Sequence, residues 1–282
     1  MYMSNKFTAY GRISMVSVRR KVAGLLPQPV RFQLRKILYS GNGETCPMCC
    51  NSVRTYISHG GGFEVLERRQ VVGGLRREHD ECPVCRSSDR MRLMMLYLKN
   101  VLHAGQCTLR VLHIAPEFGL FLWLKRQGNM DYVATDLDRS RYRHIENMHE
   151  ANLTDLPFEG DSFDAVICSH ILEHIPDDRA AMQEILRVLK PEATAMLMVP
   201  LACDGLPTEE DPSVKDPREQ ERRFGQWDHV RIYGRDDFMN RLRKTGFHVT
   251  PFNGYDDFPE EAKSLGLNPR ETLVTASKPR SF

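Results

Sequence analysis

The 282-residue chain has 41% hydrophobic and 27% charged residues, proportions typical of a water-soluble folded protein with one full domain and a smaller module. No apolar stretch reaches the roughly 18 residues that a membrane-spanning helix needs, which excludes a helical membrane protein. Pro27 and Pro29 interrupt the one stretch that resembles a secretion signal. We therefore expect a cytoplasmic protein without a transmembrane segment, whose cysteines are reduced.

The charge is distributed unevenly along the chain. Residues 1–110 carry 18 Lys or Arg and 7 acidic residues, whereas residues 111–282 carry 21 Lys or Arg and 30 acidic residues. Residues 1–40 hold eight basic residues and no acidic one. A basic front half indicates an anionic partner such as RNA or a membrane surface, although solvated surface charges produce the same pattern.

Three regions follow one another along the chain. Residues 1–41 are expected to form a basic, partly helical segment, with helices at residues 16–25 and 30–39. Residues 42–88 are expected to form a metal-binding module, because short strands and glycine-rich stretches lie between two pairs of cysteines. Residues 89–282 are expected to form one α/β domain.

The paired cysteines of the second region predict a zinc site. Cys46-Pro-Met-Cys49 and Cys82-Pro-Val-Cys85 present four thiolates, the number that closes a tetrahedral zinc site. The proline in each pair suits a tight turn around a metal. A site closed by four cysteines leaves no open position for catalysis, so we predict a structural or recognition role. Replacement of one cysteine ligand by His59 or His79 is the alternative.

From residue 90 onward, strands and helices alternate, which is typical of a parallel sheet with helices on both faces. The predicted helices cover residues 90–102, 117–127, 178–189 and 235–245. The predicted strands cover residues 110–114, 131–135, 148–153, 163–168, 194–199, 246–250 and 271–277.

The stretch His113-Ile-Ala-Pro-Glu-Phe-Gly119 follows the first of these strands, where a nucleotide-type cofactor loop belongs. It holds one glycine. Pro116 is predicted at the first helical position, and Glu117 beside the positive end of the helix dipole. A carboxylate at this place repels the pyrophosphate of NAD or FAD, so the loop favours a cationic ligand.

Residues 110–250 resemble the class I S-adenosylmethionine-dependent methyltransferases, especially the type 11 group. The most specific matching stretches are Asp161-Ser-Phe-Asp-Ala-Val-Ile-Cys-Ser-His-Ile-Leu-Glu-His174 and Ile185-Leu-Arg-Val-Leu-Lys-Pro191. Residues 111–119, 132–136 and 152–158 match as well. The resemblance implies a Rossmann-like seven-stranded methyltransferase sheet with helices on both faces, preceded by a small zinc-ribbon-like module. It also implies S-adenosylmethionine as the cofactor.

The chain is also similar to a subgroup of bacterial proteins that joins a Cys-Pro-x-Cys pair, a helix like residues 90–98 and a His-Ile-Ala-Pro-Glu loop. That similarity implies methyltransferase chemistry and assigns no substrate.

Carried over by position, the resemblance implies that Asp136 accepts from the ribose hydroxyls of S-adenosylmethionine. It places Asn152 at the adenine amine and Leu153 against the adenine ring. Ser169 and His170 are placed beside the methionine half of the cofactor. Each residue has an ordinary structural alternative, such as a turn residue for Asp136 and a helix cap for His170. The complete expected cofactor set is His113, Ala115, Pro116, Glu117, Gly119, Asp136, Leu137, Asn152, Leu153, Ser169 and His170.

The loop departs from the family pattern at three positions. The family usually has an acidic residue at the position of His113 and glycines at those of Ala115 and Glu117. We hypothesise that the acid has moved from position 113 to Glu117, where a carboxylate attracts the sulfonium and ammonium groups of S-adenosylmethionine.

Residues 200–235 form a long connection, which is expected to act as a lid or binding loop. Within it, His229, Arg231 and Tyr233 match a His-x-Arg-x-Tyr/Phe stretch of many type 11 enzymes. We predict His229 as general base or substrate orienter, with Tyr233 and His170 as further catalytic candidates. The alternative is that His229 and Arg231 fix the loop. Trp227 is expected in a pocket wall or in the core.

These observations predict an S-adenosylmethionine-dependent methyltransferase acting on a small-molecule or sugar-linked substrate. The excess of acidic residues in residues 111–282, which contain most of the methyltransferase-like segment, favours such a substrate. An rRNA-type methyltransferase that binds RNA through its basic zinc module is one alternative, suggested by the basic front half. A catalytically inactive, zinc-dependent interaction protein on a methyltransferase-like fold is the other, suggested by the altered loop.

Overall fold

The computed structural model describes residues 26–280, so the helix expected at residues 16–25 lies outside the described part of the chain. The helices are α1 Gln28–Tyr39, α2 Glu64–Arg68, α3 Asp89–Asn100, α4 Phe118–Leu124, α5 Asp178–Val188, α6 Pro217–Phe224, α7 Arg235–Thr245, α8 Gly254–Asp257 and α9 Pro259–Ser264. Short 3-10 helices cover Arg139–Tyr142 and Leu172–His174. None of the helices within residues 26–280 combines the length and apolarity needed to cross a bilayer.

The strands comprise four in the N-terminal part and ten in the rest of the described chain. They are β1 Ser40–Thr45, β2 Ser52–Val53, β3 Ile57–His59, β4 Arg77–Glu81, β5 Leu109–Ile114, β6 Met130–Asp136, β7 Met148–Glu150, β8 Phe163–Ser169, β9 Leu189–Met198, β10 Leu201–Ala202, β11 Glu209–Glu210, β12 Arg231–Gly234, β13 His248–Phe252 and β14 Leu273–Ser277.

Seven strands form the central sheet in the order β13-β14-β9-β8-β5-β6-β7. Neighbours from β9 to β7 run parallel, while β14 pairs antiparallel with both β9 and β13. The predicted α/β class, a Rossmann-like seven-stranded methyltransferase sheet, is confirmed by this order.

Successive residues of the central strands point to opposite faces of the sheet, because side chains alternate along a strand. Val111 of β5 belongs to an apolar cluster with helix α3, while its neighbour Leu112 belongs to a second cluster with helices α5 and α7. On β8, Ile167 belongs to the cluster with α3 and Val166 to the cluster with α5 and α7. Both faces are therefore covered, which explains the nearly continuous apolar sequence of these strands.

The chain reverses its direction of travel across the sheet between β5 and β8. From β5 it moves outward to β6 and β7, and it then returns to β8 on the other side of β5. The carboxyl ends of β5 and β8 therefore flank a topological switch point, which is where open α/β sheets bind their ligands. The loop at residues 115–117 and residue His170 lie at this edge.

The cysteine module packs on the same face of the sheet as helix α3. Cys46, Met48 and Val84 share one apolar cluster with Leu93 and Met94 of that helix. The boundary expected at residues 88–89 stays a prediction, since the apolar core runs through it without interruption.

Arg92 of α3 ties the module to the rest of the chain. Its guanidinium donates to the backbone oxygen of Asp80 at 2.9 Å, to Oδ1 of Asp80 at 3.0 Å and to the backbone oxygen of Leu265 at 2.7 Å. The side chain is almost fully buried and stacks over the ring of Tyr56.

The connection after β9 contains regular structure, which the sequence interpretation of residues 200–235 missed. Strands β10 and β11 flank β12 in a small three-stranded sheet, and helix α6 lies between β11 and β12. Strands of two to four residues leave too short an alternating pattern for sequence to reveal.

Candidate functional site

The four predicted zinc ligands come together in a buried cluster. Sγ of Cys46 lies 3.7 Å from Sγ of Cys85, and Sγ of Cys49 lies 3.9 Å from Sγ of Cys82. Thiolates at about 2.3 Å from a tetrahedral zinc are about 3.8 Å apart, so the cluster fits zinc. His59 and His79 are not members of the cluster.

The loop after β5 contains an alanine in a conformation that favours glycine. Ala115 has a φ of 47°, and its N–H donates to the backbone oxygen of Thr135 at 2.8 Å. His170, which follows β8 across the switch point, has a φ of 55°. A left-handed conformation costs a non-glycine residue about 1 kcal/mol, and such strain concentrates at functional sites.

Glu117 is held by His113. Oε2 of Glu117 lies 2.9 Å from Nε2 of His113, whose Nδ1 lies 3.0 Å from the hydroxyl of Tyr132. Burial acts to raise the pKa of Glu117, but the hydrogen bond and charge of His113 outweigh it and lower this pKa below its ordinary value. Glu117 therefore presents an anionic group to the cavity that it lines.

The helix that follows begins one residue later than expected. Its first residue is Phe118, and Glu117 occupies the N-cap position without a capping hydrogen bond from its side chain. The prediction of Pro116 at the first helical position is therefore wrong. The carboxylate of Glu117 contacts His113 instead of the helix end.

A cavity of about 930 Å³ opens at the switch point and suits a nucleotide-sized ligand. Asp136, at the end of β6, lines it. Oδ1 of Asp136 accepts from the N–H of Asp138 at 2.8 Å, and Oδ2 accepts from the hydroxyl of Tyr142 at 3.1 Å. These bonds fix the carboxylate and leave further lone pairs for vicinal hydroxyls.

The cavity gathers residues from four loops. Ala115 and Glu117 come from the loop after β5, and Leu137 comes from the loop after β6. Asn152 and Leu153 follow β7. Ser169 ends β8, and His170 follows it directly. All seven line the cavity. Thr135 Oγ1 and Ser169 Oγ are buried without a hydrogen-bond partner within residues 26–280. Unpartnered buried hydroxyls beside a cavity fit a polar ligand such as S-adenosylmethionine.

Three residues of the expected cofactor set do not line this cavity. His113 is fully buried and contacts the carboxylate of Glu117. Pro116 borders a separate cavity against the N-terminal helix α1. A Cβ on Gly119 would come within 2.9 Å of the Cβ of Ser87, so this glycine permits close packing of α4 against the start of α3.

A second cavity of about 480 Å³ adjoins the first. Its walls come from the glycine-rich loops of the cysteine module, including Gly60 and Gly73, and from the connection after β9, including Gly225. The residues that line both cavities are Arg90, His170, His174 and Gln226. The module therefore forms part of the space beside the first cavity.

A chain of polar contacts crosses this shared wall. Nδ1 of His59 lies 3.0 Å from Glu81, and Nε2 of His59 lies 3.2 Å from Arg90. Arg90 also contacts Nε2 of His170, whose Nδ1 lies 3.1 Å from Oε1 of Glu173. Because the guanidinium can only donate, Nε2 of His170 accepts and Nδ1 carries the proton that Glu173 receives as a hydrogen bond.

These contacts determine the charge states of His170 and Glu173. Burial and the guanidinium of Arg90 lower the pKa of His170, although Glu173 acts in the opposite direction. Burial acts to raise the pKa of Glu173, but the surrounding imidazoles outweigh it and lower this pKa to about 2. His170 is thus a neutral ring already engaged at both nitrogens, which makes it a poor general base.

Tyr233 does not reach either cavity, so its prediction as a catalytic residue is corrected. The side chain is fully buried, and its hydroxyl donates to Oδ2 of Asp178 at 2.7 Å. Arg231 is buried as well and donates to the backbone oxygens of Leu172 and Pro176, each at 2.8 Å. Both residues fix the turn that follows β8.

His229 lines the second cavity and is buried, with Nδ1 3.3 Å from the backbone oxygen of Phe224. Burial lowers its pKa. Trp227 is 61% exposed and is absent from both cavities, so the expectation of a pocket wall or core position is wrong.

Several lining residues were not assigned from sequence. Arg90 and Met91 come from the start of α3, and Tyr142 comes from the turn after β6. Glu173 and His174 belong to residues 161–174, one of the two stretches that match the methyltransferases most specifically, but no role was predicted for either residue. A basic residue in the first turn of the helix that follows the second cysteine pair was the available signal for Arg90.

Comparisons with known proteins agree with this geometry. A family model described as a methyltransferase domain matches residues 117–197. The chain is 45% identical over 97 residues to a 2-phytyl-1,4-naphtoquinone methyltransferase of Trichormus variabilis, covering 34% of this chain and 42% of that protein. It is 51% identical over 47 residues to a demethylmenaquinone methyltransferase of Clavibacter sepedonicus, covering 17% and 19%. The matched segments thus span less than half of these relatives.

A solved S-adenosylmethionine-dependent methyltransferase of Mesorhizobium loti is similar at 20% identity, with 66% of this chain and all of that chain covered and a TM-score of 0.42. The matched family segment begins at Glu117 and ends in β9, so it contains Glu117 and the loops after β6, β7 and β8 that line the first cavity. Residues 117–197 thus match the family model of a methyltransferase domain.

Proposed function

We propose that this chain, whose residues 117–197 match a methyltransferase domain, binds S-adenosylmethionine in the first cavity and methylates a small molecule held in the second. The observation that carries the proposal is the pair of carboxylates, Glu117 after β5 and Asp136 at the end of β6, that line one cavity at the switch point. A cofactor with two cationic groups and a ribose needs acceptors of this kind.

Asp136 would accept from the ribose hydroxyls, Asn152 and Leu153 would face the adenine, and Glu117 would attract the methionine end. The cofactor supplies an electrophilic methyl group on a sulfonium. The contribution of the chain is to orient the two ligands and to exclude water, which is the main requirement of methyl transfer to a good nucleophile.

A small-molecule acceptor is favoured by the second cavity, because a volume of about 480 Å³ suits a compact ligand. The relatives that carry quinone methyltransferase names favour the same class. Zinc bound by the four cysteines would give the module a structural role as a wall of this cavity, and the proposal does not rely on RNA binding.

Calorimetric titration with S-adenosylmethionine tests the proposal. Asp136→Asn should weaken binding at least about tenfold, since a charged acceptor is replaced by a neutral one. Asp131→Asn is the matched control on the same strand, because Asp131 is exposed and pairs with Arg110. Failure of the wild-type protein to bind the cofactor would support the inactive interaction protein instead.

A further inference from the structure

Glu173, His174 and His229 form a compact cluster in the wall of the second cavity. One ligand-type atom from each residue lies within 4.8 Å of the others. Glu173 is fully buried and His229 is 6% exposed. Oε2 of Glu173 is buried and has no hydrogen-bond partner within residues 26–280, while Oε1 is held by His170. An unpartnered buried carboxylate oxygen is costly unless a ligand satisfies it.

Each imidazole has one ring nitrogen engaged by a backbone oxygen. Nδ1 of His174 lies 3.3 Å from the backbone oxygen of Asp228 and 3.4 Å from its Oδ2, and Nδ1 of His229 lies 3.3 Å from the backbone oxygen of Phe224. Because these oxygens only accept, each Nδ1 carries the hydrogen and each Nε2 keeps its lone pair. In metal sites, a hydrogen bond from the other ring nitrogen to an oxygen of this kind fixes the tautomer of the histidine ligand.

The two rings are held face to edge. Their centroids are 4.6 Å apart at an interplanar angle of 85°. The N–H of Val230 donates to the backbone oxygen of Glu173 at 3.0 Å, and the side-chain amide of Gln220 donates to the backbone oxygen of His229 at 3.1 Å. The connection after β9 is thus fixed at the place where it delivers His229.

We propose that Glu173, His174 and His229 bind a divalent first-row transition metal, in a site separate from the four cysteines. Two imidazoles and one carboxylate favour such an ion over Mg²⁺, which prefers oxygen ligands. Three protein ligands leave coordination positions open, as in catalytic metal sites. The structural alternative, an internal ion-pair cluster, leaves Oε2 of Glu173 unsatisfied.

The position of this site indicates how a bound metal would contribute to acceptor binding. His174 lines both cavities, and all three ligands line the second. An acceptor with an oxygen donor would be oriented by the metal beside the cofactor cavity. This orienting role rests on the proposed function, whereas metal binding by the three residues does not.

Metal content after dialysis of the full chain against Zn²⁺ and a weak chelator tests the proposal. We expect two zinc ions per chain in the wild type and one in Glu173→Gln and in His229→Asn. Cys49→Ser should also lower the count by one, because it removes the other site. His248→Gln, which removes an exposed imidazole outside the cluster, should retain two. One ion per chain in the wild type, or two in both ligand variants, would overturn the proposal.

A measurement on the wild type alone covers the case in which the substitutions unfold the chain. Mn²⁺ has little affinity for thiolates, so in protein that carries one equivalent of Zn²⁺, which the four cysteines bind first, it should leave the cysteine site unaffected. We expect one bound Mn²⁺ that broadens the ring signals of His174 and His229 in NMR spectra and is displaced by Zn²⁺. Broadening confined to other histidines, or none, contradicts the site. Calorimetry with S-adenosylmethionine on the same samples separates this outcome from a failure of cofactor binding.

Discussion

Nε2 of His113, inside β5, lies 2.9 Å from Oε2 of Glu117, four residues later at the entrance of α4. His113 thus stands at the position where the type 11 methyltransferases usually have an acidic residue. Its partner Glu117 stands at a position where they usually have a glycine. His113 lowers the pKa of Glu117 despite burial. The exchange keeps a negative charge at the end of β5, which is the electrostatic requirement for a cationic ligand.

Glu117→Gln should weaken S-adenosylmethionine binding about 10- to 100-fold, since a hydrogen bond or ion pair with a charged group contributes about 1.5 to 3 kcal/mol. Calorimetry measures the loss. S-adenosylhomocysteine lacks the sulfonium charge, so a smaller loss for it places the carboxylate at the sulfur, and an equal loss places it at the ammonium. Glu146→Gln, at an exposed position, is the control. Unchanged affinity for both ligands would remove Glu117 from the cofactor site.

Cys49→Ser should lower the free energy of unfolding by at least about 3 kcal/mol, because metal binding and folding are coupled and the cluster lies in the main apolar core. Thermal denaturation together with metal content measures the effect. Cys50→Ser is a closely matched control, since the neighbouring thiol is exposed and outside the cluster. Equal stability of the two variants would show that the module does not depend on metal.

Arg92→Ala should destabilise the chain by about 3 kcal/mol, since it removes the shortest ion pair of the buried carboxylate of Asp80 and leaves the longer contact with Arg77 at 3.5 Å. Lys244→Ala, at an exposed position of α7, should change stability by less than about 0.5 kcal/mol. Urea denaturation compares the two. Comparable midpoints would mean that the module and the sheet are joined by apolar contacts alone.

Glu271 should make stability fall as pH rises. Burial, aided by the nearby charge of Asp89, raises its pKa from 4.5 to about 7 in the folded chain. Between these values the folded state holds a proton that the unfolded state has lost, so stability is greatest below pH 4.5 for this group and decreases up to about pH 7.

Glu271→Gln removes this contribution. The variant should gain up to about 3 kcal/mol relative to the wild type at pH 8, and the difference should shrink as the pH falls to 5. Denaturation at several pH values measures the difference between the two proteins. A difference that is constant across this range would show that Glu271 ionises with an ordinary pKa.

The sequence was sufficient to predict that the four cysteines form one cluster and that the strands form the central sheet. Two Cys-x-x-C pairs specify a chemistry by their spacing alone, and the structure brings their thiols together. Strands such as β8 are short apolar runs bounded by turn residues, so their type and approximate bounds follow from local pattern. The arrangement of Asp136, Asn152 and Ser169 around one cavity follows from the same strand order, because loops after parallel strands meet at one edge.

What the sequence could not determine depends on contacts between distant residues. The His-x-Arg-x-Tyr stretch suggested chemistry at Tyr233, whereas the fold buries this hydroxyl against Asp178, 55 positions earlier. His174 and His229 are equally far apart in sequence, and packing of the connection after β9 brings them to Glu173. Side-chain types and local periodicity are properties of the chain itself. Which face a side chain presents, and what it meets there, is decided only when the elements pack.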